Sequence, residues 1–405
     1  MFIKGLCDIE PGFGNMGGEG SMSTKMRDII ARSWNDHTVF IAVCFILYLF
    51  RLLIAVISGH HGSDITDHLI GAHGLLEGKL LYVDADFYYP PLHAYFQAFL
   101  LKTFGDTILV AKLPAIIGDA ALTWGLYHVG KRSSEVVGRQ MALAYLLLPL
   151  SVLTSDVLGL FDSVAIFLMI LGAYYFLYDS LVASSVFIGF GAMYKFFPLL
   201  AAIPILAFLG VRKAWKSAFV YGVILLGTCV AIIAPYLYFD VQATLQDLVF
   251  TGSKYPDSFS IYNALPLEST TLPLALQAVL LIAAYLIIKK YGLFADCTFE
   301  SIALFVALFV MLNKNIYPHY FLWVFPFFAY WFISNEELVK LTLLMIVDTV
   351  LLSLFWLNYG ELVNSNILLP LTFQALNWAA IVYIIYRQRQ KVQLSLQPVK
   401  SEVTG

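Results

Sequence analysis

Ser63–Leu92 reads SDITDHLIGAHGLLEGKLLYVDADFYYPPL and is the stretch of the chain richest in groups that could do chemistry. Besides Glu77 it holds the carboxylates Asp64, Asp67, Asp84 and Asp86, beside His60, His61, His68 and His73. A lone carboxylate placed against a hydroxyl can serve as a general base, and Asp64 is the candidate. Its competing role is to cap the helix expected over 66–77. Asp67 is three residues on, hence on the same helical face, as a reserve base or a cap. Asp84-Ala-Asp86 is a D-x-D, a pair that can hold a divalent metal, but no third acidic ligand lies near, so no metal is expected to be required. The His60, His61, Asp64, His68 group has no compelling zinc spacing. Cations are the complement to such a base. MYKFFPLL sets Lys195 alone between two apolar stretches, either snorkelling to lipid phosphate or facing a bound anion. Arg51 lies inside an apolar run, where it needs a carboxylate such as Asp119 or Asp162, or a ligand phosphate.

The elements that position these groups follow from composition. Of 405 residues 60% are hydrophobic and 13% charged, with a mean hydropathy of +0.79. A soluble domain carries about twice that charge. Apolar runs of roughly 15 to 22 residues match the ~30 Å hydrocarbon core, so the chain is an all-α polytopic membrane protein. About twelve spans are expected, at 38–58, 107–130, 140–155, 162–178, 181–194, 196–211, 217–238, 271–288, 299–313, 319–334, 339–357 and 368–386. With the N-terminus inside, Lys25, Arg27, Arg32, Lys131, Arg132, Arg139, Arg212, Lys213, Lys216, Lys289, Lys290 and Lys340 fall on the cytoplasmic side. Arg387, Arg389 and Lys391 join them. The outer face then owns the loops 59–106 and 239–270, and six of the eight histidines: His60, His61, His68, His73, His93 and His319. Within the first loop, 66–77 and 89–104 are expected to lie along the membrane as interfacial helices.

The chain thus divides into a cytoplasmic, partly disordered tail 1–36, a transmembrane domain 37–386, and a cytoplasmic tail 387–405. Met22 could be the functional start. A net charge of -3 argues against a nucleic-acid partner. Cys7, Cys44, Cys229 and Cys297 are scattered and form neither a metal spacing nor a disulfide framework.

Four segments, in order, carry a resemblance. They are the Ser63–Leu92 loop with its acidic residue and YPPL turn, AKLPAIIGDA at 111–120, GLFDSVAIF at 159–167, and NKNIYPHYFLW at 313–323. Together they resemble the GT-C glycosyltransferases, most closely the dolichyl-phosphate-mannose mannosyltransferases, including the catalytic subunit of the first glycosylphosphatidylinositol mannosyltransferase. Two departures stand out: His319 where that family usually has Gln, and Leu160 where the turn often has Gln. The resemblance implies a GT-C fold whose active site lies under loop 59–106. It implies inverting transfer of a hexose, with mannose first, from a dolichyl- or polyprenyl-phosphate sugar to an external glycan or glycolipid acceptor. The bilayer is the remaining partner, and an accessory membrane subunit is compatible with it. The membrane would be a prokaryotic plasma membrane or an endoplasmic reticulum, with the site external or lumenal. The rival readings are a polyprenyl-phosphate pentose or glucose transferase, and a transporter of lipid-linked sugars. The chain shows no convincing repeat between its halves, which weighs against the transporter.

By the same resemblance Asp64 holds the position of the family's acidic residue, and Lys195 faces the donor phosphate. Lys314 and His319 are second candidates for phosphate or acceptor, Asp162 for an acceptor hydroxyl, and Tyr89 and Tyr320 for sugar contacts. Trp323 is expected in the interfacial aromatic belt.

Overall fold

The computed structural model describes residues 36–59, 63–178, 180–248, 257–260, 262, 271–290, 299–357 and 368–395. His60, His61, Cys7, Cys297, Met22, the N-terminal tail before Asp36 and most of loop 239–270 lie outside that set. For Ser63 and Asp64 only the backbone is described.

Nearly everything described is helical, as a chain this apolar must be: in hydrocarbon each backbone N–H and C=O needs an internal partner. Helix α1 (His37–Ile57) is capped by Asp36, whose Oδ1 accepts from Thr38 N at 2.8 Å. It turns Phe45, Ile46, Leu49, Phe50 and Leu53 outward and buries Phe40, Arg51 and Ala55. The next two helices are α2 (Ser63–Leu76) and α3 (Pro91–Phe104), which pack on each other. Both stretches expected to be helical within 59–106 are therefore helices.

Helix α4 (Ile108–Lys131) is the central pillar and packs on α5 (Glu135–Leu146). A 47° bend then leads into α6 (Pro149–Val157), whose Val152–Val157 turn is π-helical. Next come α7 (Asp162–Tyr178), α8 (Leu181–Tyr194), α9 (Leu199–Val211), α10 (Trp215–Phe239) and the short α11 (Val241–Leu248). The C-terminal part holds α12 (Thr271–Lys290), α13 (Phe299–Met311), α14 (Phe321–Ser334), α15 (Leu338–Leu357) and α16 (Leu368–Ser395). Helix α16 continues past position 386, where the last span was expected to end.

Each of the twelve expected stretches carries a helix. Among the described residues, however, three helices are by length and composition long and apolar enough to cross a membrane, α1, α4 and α10, and the bent α5–α6 pair would make a fourth. Six further apolar helices are shorter, among them Asp162–Leu177, Leu181–Tyr194 and Phe321–Ser334. Among the described residues, two-residue strands β1 (Asp257–Ser258) and β2 (Asn315–Ile316) also pair in parallel. They tie the 239–270 segment to the turn before α14, because backbone in an irregular turn must find partners wherever they are.

Small residues let the pillars touch. At Gly118 of α4 an added Cβ would lie 2.5 Å from Ser163 Oγ and 2.7 Å from Val164 N, so α7 begins in direct backbone contact with α4. Gly130 and Gly138 do the same where α4 meets α5. Such close approach is how helices associate in lipid, where apolar surface alone gives no preference. Gly118→Val should therefore cost about 1–3 kcal/mol or more, since neither Val164 backbone nor α4 can yield. Thermal unfolding in detergent measures it, and a variant as stable as the parent would show that the helices do not meet there.

Candidate active site

Three sequence-distant elements meet at the start of α7. Gly159, at φ +73°, turns the chain out of α6, and Phe161 and Asp162 follow. Asp162 is 1% exposed. Lys195, just past the end of α8, places Nζ 2.8 Å from both carboxylate oxygens. Trp323, on the first turn of α14, donates its indole N–H to Oδ1 at 2.6 Å. A buried carboxylate in an apolar protein is tolerable only with such partners. Lys195 therefore neither stands alone nor merely snorkels: it is anchored, and its side chain keeps 15% exposure.

The pair sits on an aromatic platform. Lys195 Nζ lies 5.1 Å over the Phe161 ring and 5.8 Å over Trp323, distances at which an ammonium is held by ring quadrupoles. Trp323 is itself sandwiched between Phe197 at 4.0 Å and Tyr320 at 3.9 Å. It is 4% exposed, so the expected belt position is wrong: its N–H has a partner in the interior that a belt tryptophan would give to the interface.

Helices α2 and α3 pack over this platform. His93 of α3 stacks on Phe161 at 3.5 Å and places Nδ1 3.2 Å from Tyr194 OH. His68 of α2 meets Phe161, Tyr89 and His93 edge-on, at 4.5, 5.2 and 5.5 Å. His319 lies in the Pro318–Tyr320 turn, parallel to Tyr317 and edge-on to Tyr320. His93 Nε2 and His319 Nδ1 are buried with no hydrogen-bond partner.

Burial and the nearby Lys195 charge hold all three imidazoles neutral: His68 well below the ordinary histidine range, His93 at about 3 and His319 at about 4. The unfolded chain takes up protons below about pH 6.5 while these folded rings do not. Their stabilisation is thus complete above that pH and is lost as pH falls toward the folded values. Each should cost about 1 kcal/mol by pH 5.5. Thermal unfolding of the parent and of His93→Phe across pH 5–7.5 checks this, and parallel pH slopes in the two proteins would refute it.

A second cluster, one layer deeper, holds Arg51. Its guanidinium bonds Asp119 of α4, Asp156 at 2.7 Å and Ser151 Oγ at 3.1 Å, the last two on α6. Tyr145 OH and Ser155 Oγ also donate to Asp119. Of the two expected partners, Asp119 is present and Asp162 is not. The α6 π-turn swings Asp156 inward to Arg51, while Asp162 faces Lys195. Asp156 and Asp162 thus serve different cations, Arg51 and Lys195.

A cavity of about 400 Å³ opens beside the platform, lined by Gln277 and Leu281 of α12 and by Asn313, Lys314, Tyr317 and Tyr320 among others. Tyr320 thus links the cavity to Trp323 and the ion pair. Lys314 is 2% exposed, and burial lowers its ammonium below the usual lysine range.

The other candidates take these positions. Tyr89 packs on His68 and Phe161. Asp64 is the second residue of α2, followed by Ile65, which is buried. Asp67 is exposed on the same helix. Asp84 and Asp86 are both exposed, and Asp84 Oδ2 accepts from Leu80 N at 2.9 Å, closing its own turn. Among the described residues no group of three His, Cys, Asp or Glu side chains could hold a metal ion. From the sequence, His68 is weighed only as a zinc ligand, His93 is given no role, and Tyr194, Phe161 and Lys112 are not singled out. An imidazole or ammonium inside an apolar stretch was the available signal.

Comparison with known proteins bears on the family and the fold. Residues 89–239 match the dolichyl-phosphate-mannose-protein mannosyltransferase family model. A GPI mannosyltransferase 1 from Kluyveromyces lactis is 26% identical over 257 residues, or 57% of this chain. The aligned part spans 63% of that relative's length. Two structures of ArnT from Cupriavidus metallidurans share the fold at a TM-score of 0.53 each. One, bound to undecaprenyl phosphate, is 15% identical and matches over 86% of this chain and 69% of its own. The other, in the apo state, is 14% identical over 89% and 76%. In motifs and in fold, this integral membrane protein resembles the GT-C glycosyltransferases that take their sugar from a polyprenyl phosphate.

Proposed function

We propose that the protein transfers a hexose, with mannose first, from a dolichyl- or polyprenyl-phosphate sugar to a glycan or glycolipid acceptor on the outer or lumenal face of its membrane. The observation that carries this reading is the buried Asp162–Lys195–Trp323 constellation beside the cavity that Tyr320 and Lys314 line. A phosphate monoester leaves with growing negative charge, and a fixed ammonium aimed at it stabilises that charge where water is scarce. Lys195 has three N–H donors, of which the Asp162 carboxylate takes two; the third is the one proposed for phosphate. Tyr320 and the carboxamides of Gln277 and Asn313 suit sugar hydroxyls, and the Leu281 side of α12 suits an isoprenoid or acyl chain.

Asp64 is proposed as the base that takes the acceptor hydroxyl's proton as its oxygen attacks the anomeric carbon. The phosphate departs from the opposite face, so the anomeric configuration inverts. Asp162 is proposed to orient the acceptor hydroxyl through its remaining lone pairs. The neutral His319 and His93 rings, each with an unpartnered nitrogen, can add hydrogen bonds without adding charge.

Incubating purified protein with a panel of polyprenyl-phosphate sugars and membrane-lipid acceptors tests the reading. Transfer from the mannose donor supports it; transfer from a pentose or glucose donor alone would reassign the sugar, and none at all would end it. The proposed membrane arrangement, about twelve spans with the site outside, has its own test. Cysteines at Asp84 should label from outside and at Lys213 only after permeabilisation; outside labelling of Lys213 reverses the topology.

A further inference from the structure

Lys112, on the outer end of α4, is 0% exposed and touches no carboxylate oxygen among its described contacts. Its ammonium instead gathers three oxygens from two other elements. They are Ala55 O at 3.2 Å and Ser58 Oγ at 2.7 Å at the end of α1, and Asp156 O at 3.0 Å at the end of α6. These carbonyls are helix-end acceptors that otherwise have only the Ser58 hydroxyl, 3.3 Å from each, and a cation there also meets the negative ends of both helices. Its aliphatic stem does a second thing. A Cβ added at Gly159 would lie 3.0 Å from Lys112 Cγ and 2.9 Å from Ile65 Cδ1, so the stem, the glycine turn and the start of α2 pack together.

We infer that Lys112 is a positioning residue, one cation that fixes the start of α2, bearing Asp64, against the Gly159–Asp162 turn. The inference rests on the proposed roles of Asp64 and Asp162, but its geometry does not. Both segments leave helices that Lys112 clamps: Ser58 caps α1 just before the link to α2, and Asp156 ends α6 just before the turn. Lys112 also completes the charge balance of the deeper cluster. Arg51 faces Asp119 and Asp156, so without Lys112 the cluster carries one net negative charge in a buried site. Gly159 must stay glycine for the same close approach, at a φ that side chains rarely adopt.

The experiment separates clamping from charge balance, and uses the full chain in nanodiscs with its four cysteines replaced. Spin labels go at Ile70 of α2 and Trp124 of α4, both exposed, and pulsed EPR reads their separation. The parent should give a narrow distance distribution and Lys112→Met a broad or shifted one. Lys112→Arg, which keeps donors and charge, should recover much of the width. In transfer assays Lys112→Met should lose about 10- to 100-fold in kcat with donor KM little changed, since the reacting groups drift while the phosphate site stays. Lys112→Met with Asp156→Asn restores neutrality but not the clamp, so it should regain thermal stability without regaining kcat or the narrow distribution. Full recovery of both in that double variant would overturn the inference in favour of charge balance alone. A narrow distribution in Lys112→Met would overturn it as well. If Lys112→Met does not accumulate, Lys112→Gln is read in its place. If the parent transfers no sugar, the proposed function fails while the EPR arm still decides Lys112.

Discussion

Lys195→Ala is expected to lower kcat by on the order of 100-fold, equivalent to about 3 kcal/mol of transition-state stabilisation. It should also destabilise the fold, because Asp162 would remain 1% exposed with its cation gone and only the Trp323 N–H beside it. Removing one partner of a buried pair costs about 3–5 kcal/mol, whereas removing both charges costs far less. The two effects separate in a paired variant. Lys195→Met with Asp162→Asn should recover most of the stability, since Asn can still accept from Trp323, yet leave turnover low because no cation meets the departing phosphate. Lys195→Arg should recover part of the rate: the charge survives, but a planar fork cannot reproduce a point ammonium seated 5.1 Å over Phe161. Single-turnover rates together with thermal unfolding decide among these. Near-normal turnover in a folded Lys195→Ala variant would remove Lys195 from the chemistry and pass its role to Lys314.

How far these features were legible differs by layer. Apolar runs of span length foretold a helix at each of the twelve stretches, because hydrocarbon leaves the backbone little alternative. The 66–77 and 89–104 pieces were also legible, since each is too short or too polar to be a comfortable span and too apolar for a loop. What sequence could not supply was rotation about each helix axis. Arg51 announced that it needed a partner, but Asp119, Asp156 and Asp162 are all within plausible depth. Only the π-turn at Val152–Val157, which resets the phase of α6, sends Asp156 to Arg51 and leaves Asp162 for Lys195. Trp323 was misread for a related reason. An aromatic at a helix end matches the membrane interface by position, and only packing reveals that its N–H faces inward to Asp162. The convergence of His68, His93 and Phe161 spans three elements and depends on how α2 and α3 fold back, which no local pattern encodes. Lys112 was readable in principle: AKLPAIIGDA puts an ammonium inside a helix too apolar to leave it unpaired.

Asp64→Asn is expected to abolish turnover while leaving donor binding nearly intact, because a general base acts only in the chemical step. The expectation draws on placement. Asp64 opens α2 one residue before Ile65, which is buried against the Gly159 turn that leads to Asp162. The exposed carboxylates behave differently. Asp84→Asn and Asp86→Asn should keep substantial activity, since Asp84 is occupied in closing its own turn and both face solvent. EDTA should change little. Asp67→Asn tests the reserve role, and as an exposed residue it should cost at most a few-fold. The measurements are kcat and donor Kd for each variant, with and without chelator. If Asp64 serves instead as the helix cap, Asp64→Asn would be nearly silent in both rate and stability, because Asn caps as well as Asp. If chelation abolished activity and a divalent cation restored it, the base would be working beside a metal, and Asp84 and Asp86 would become its first candidate ligands.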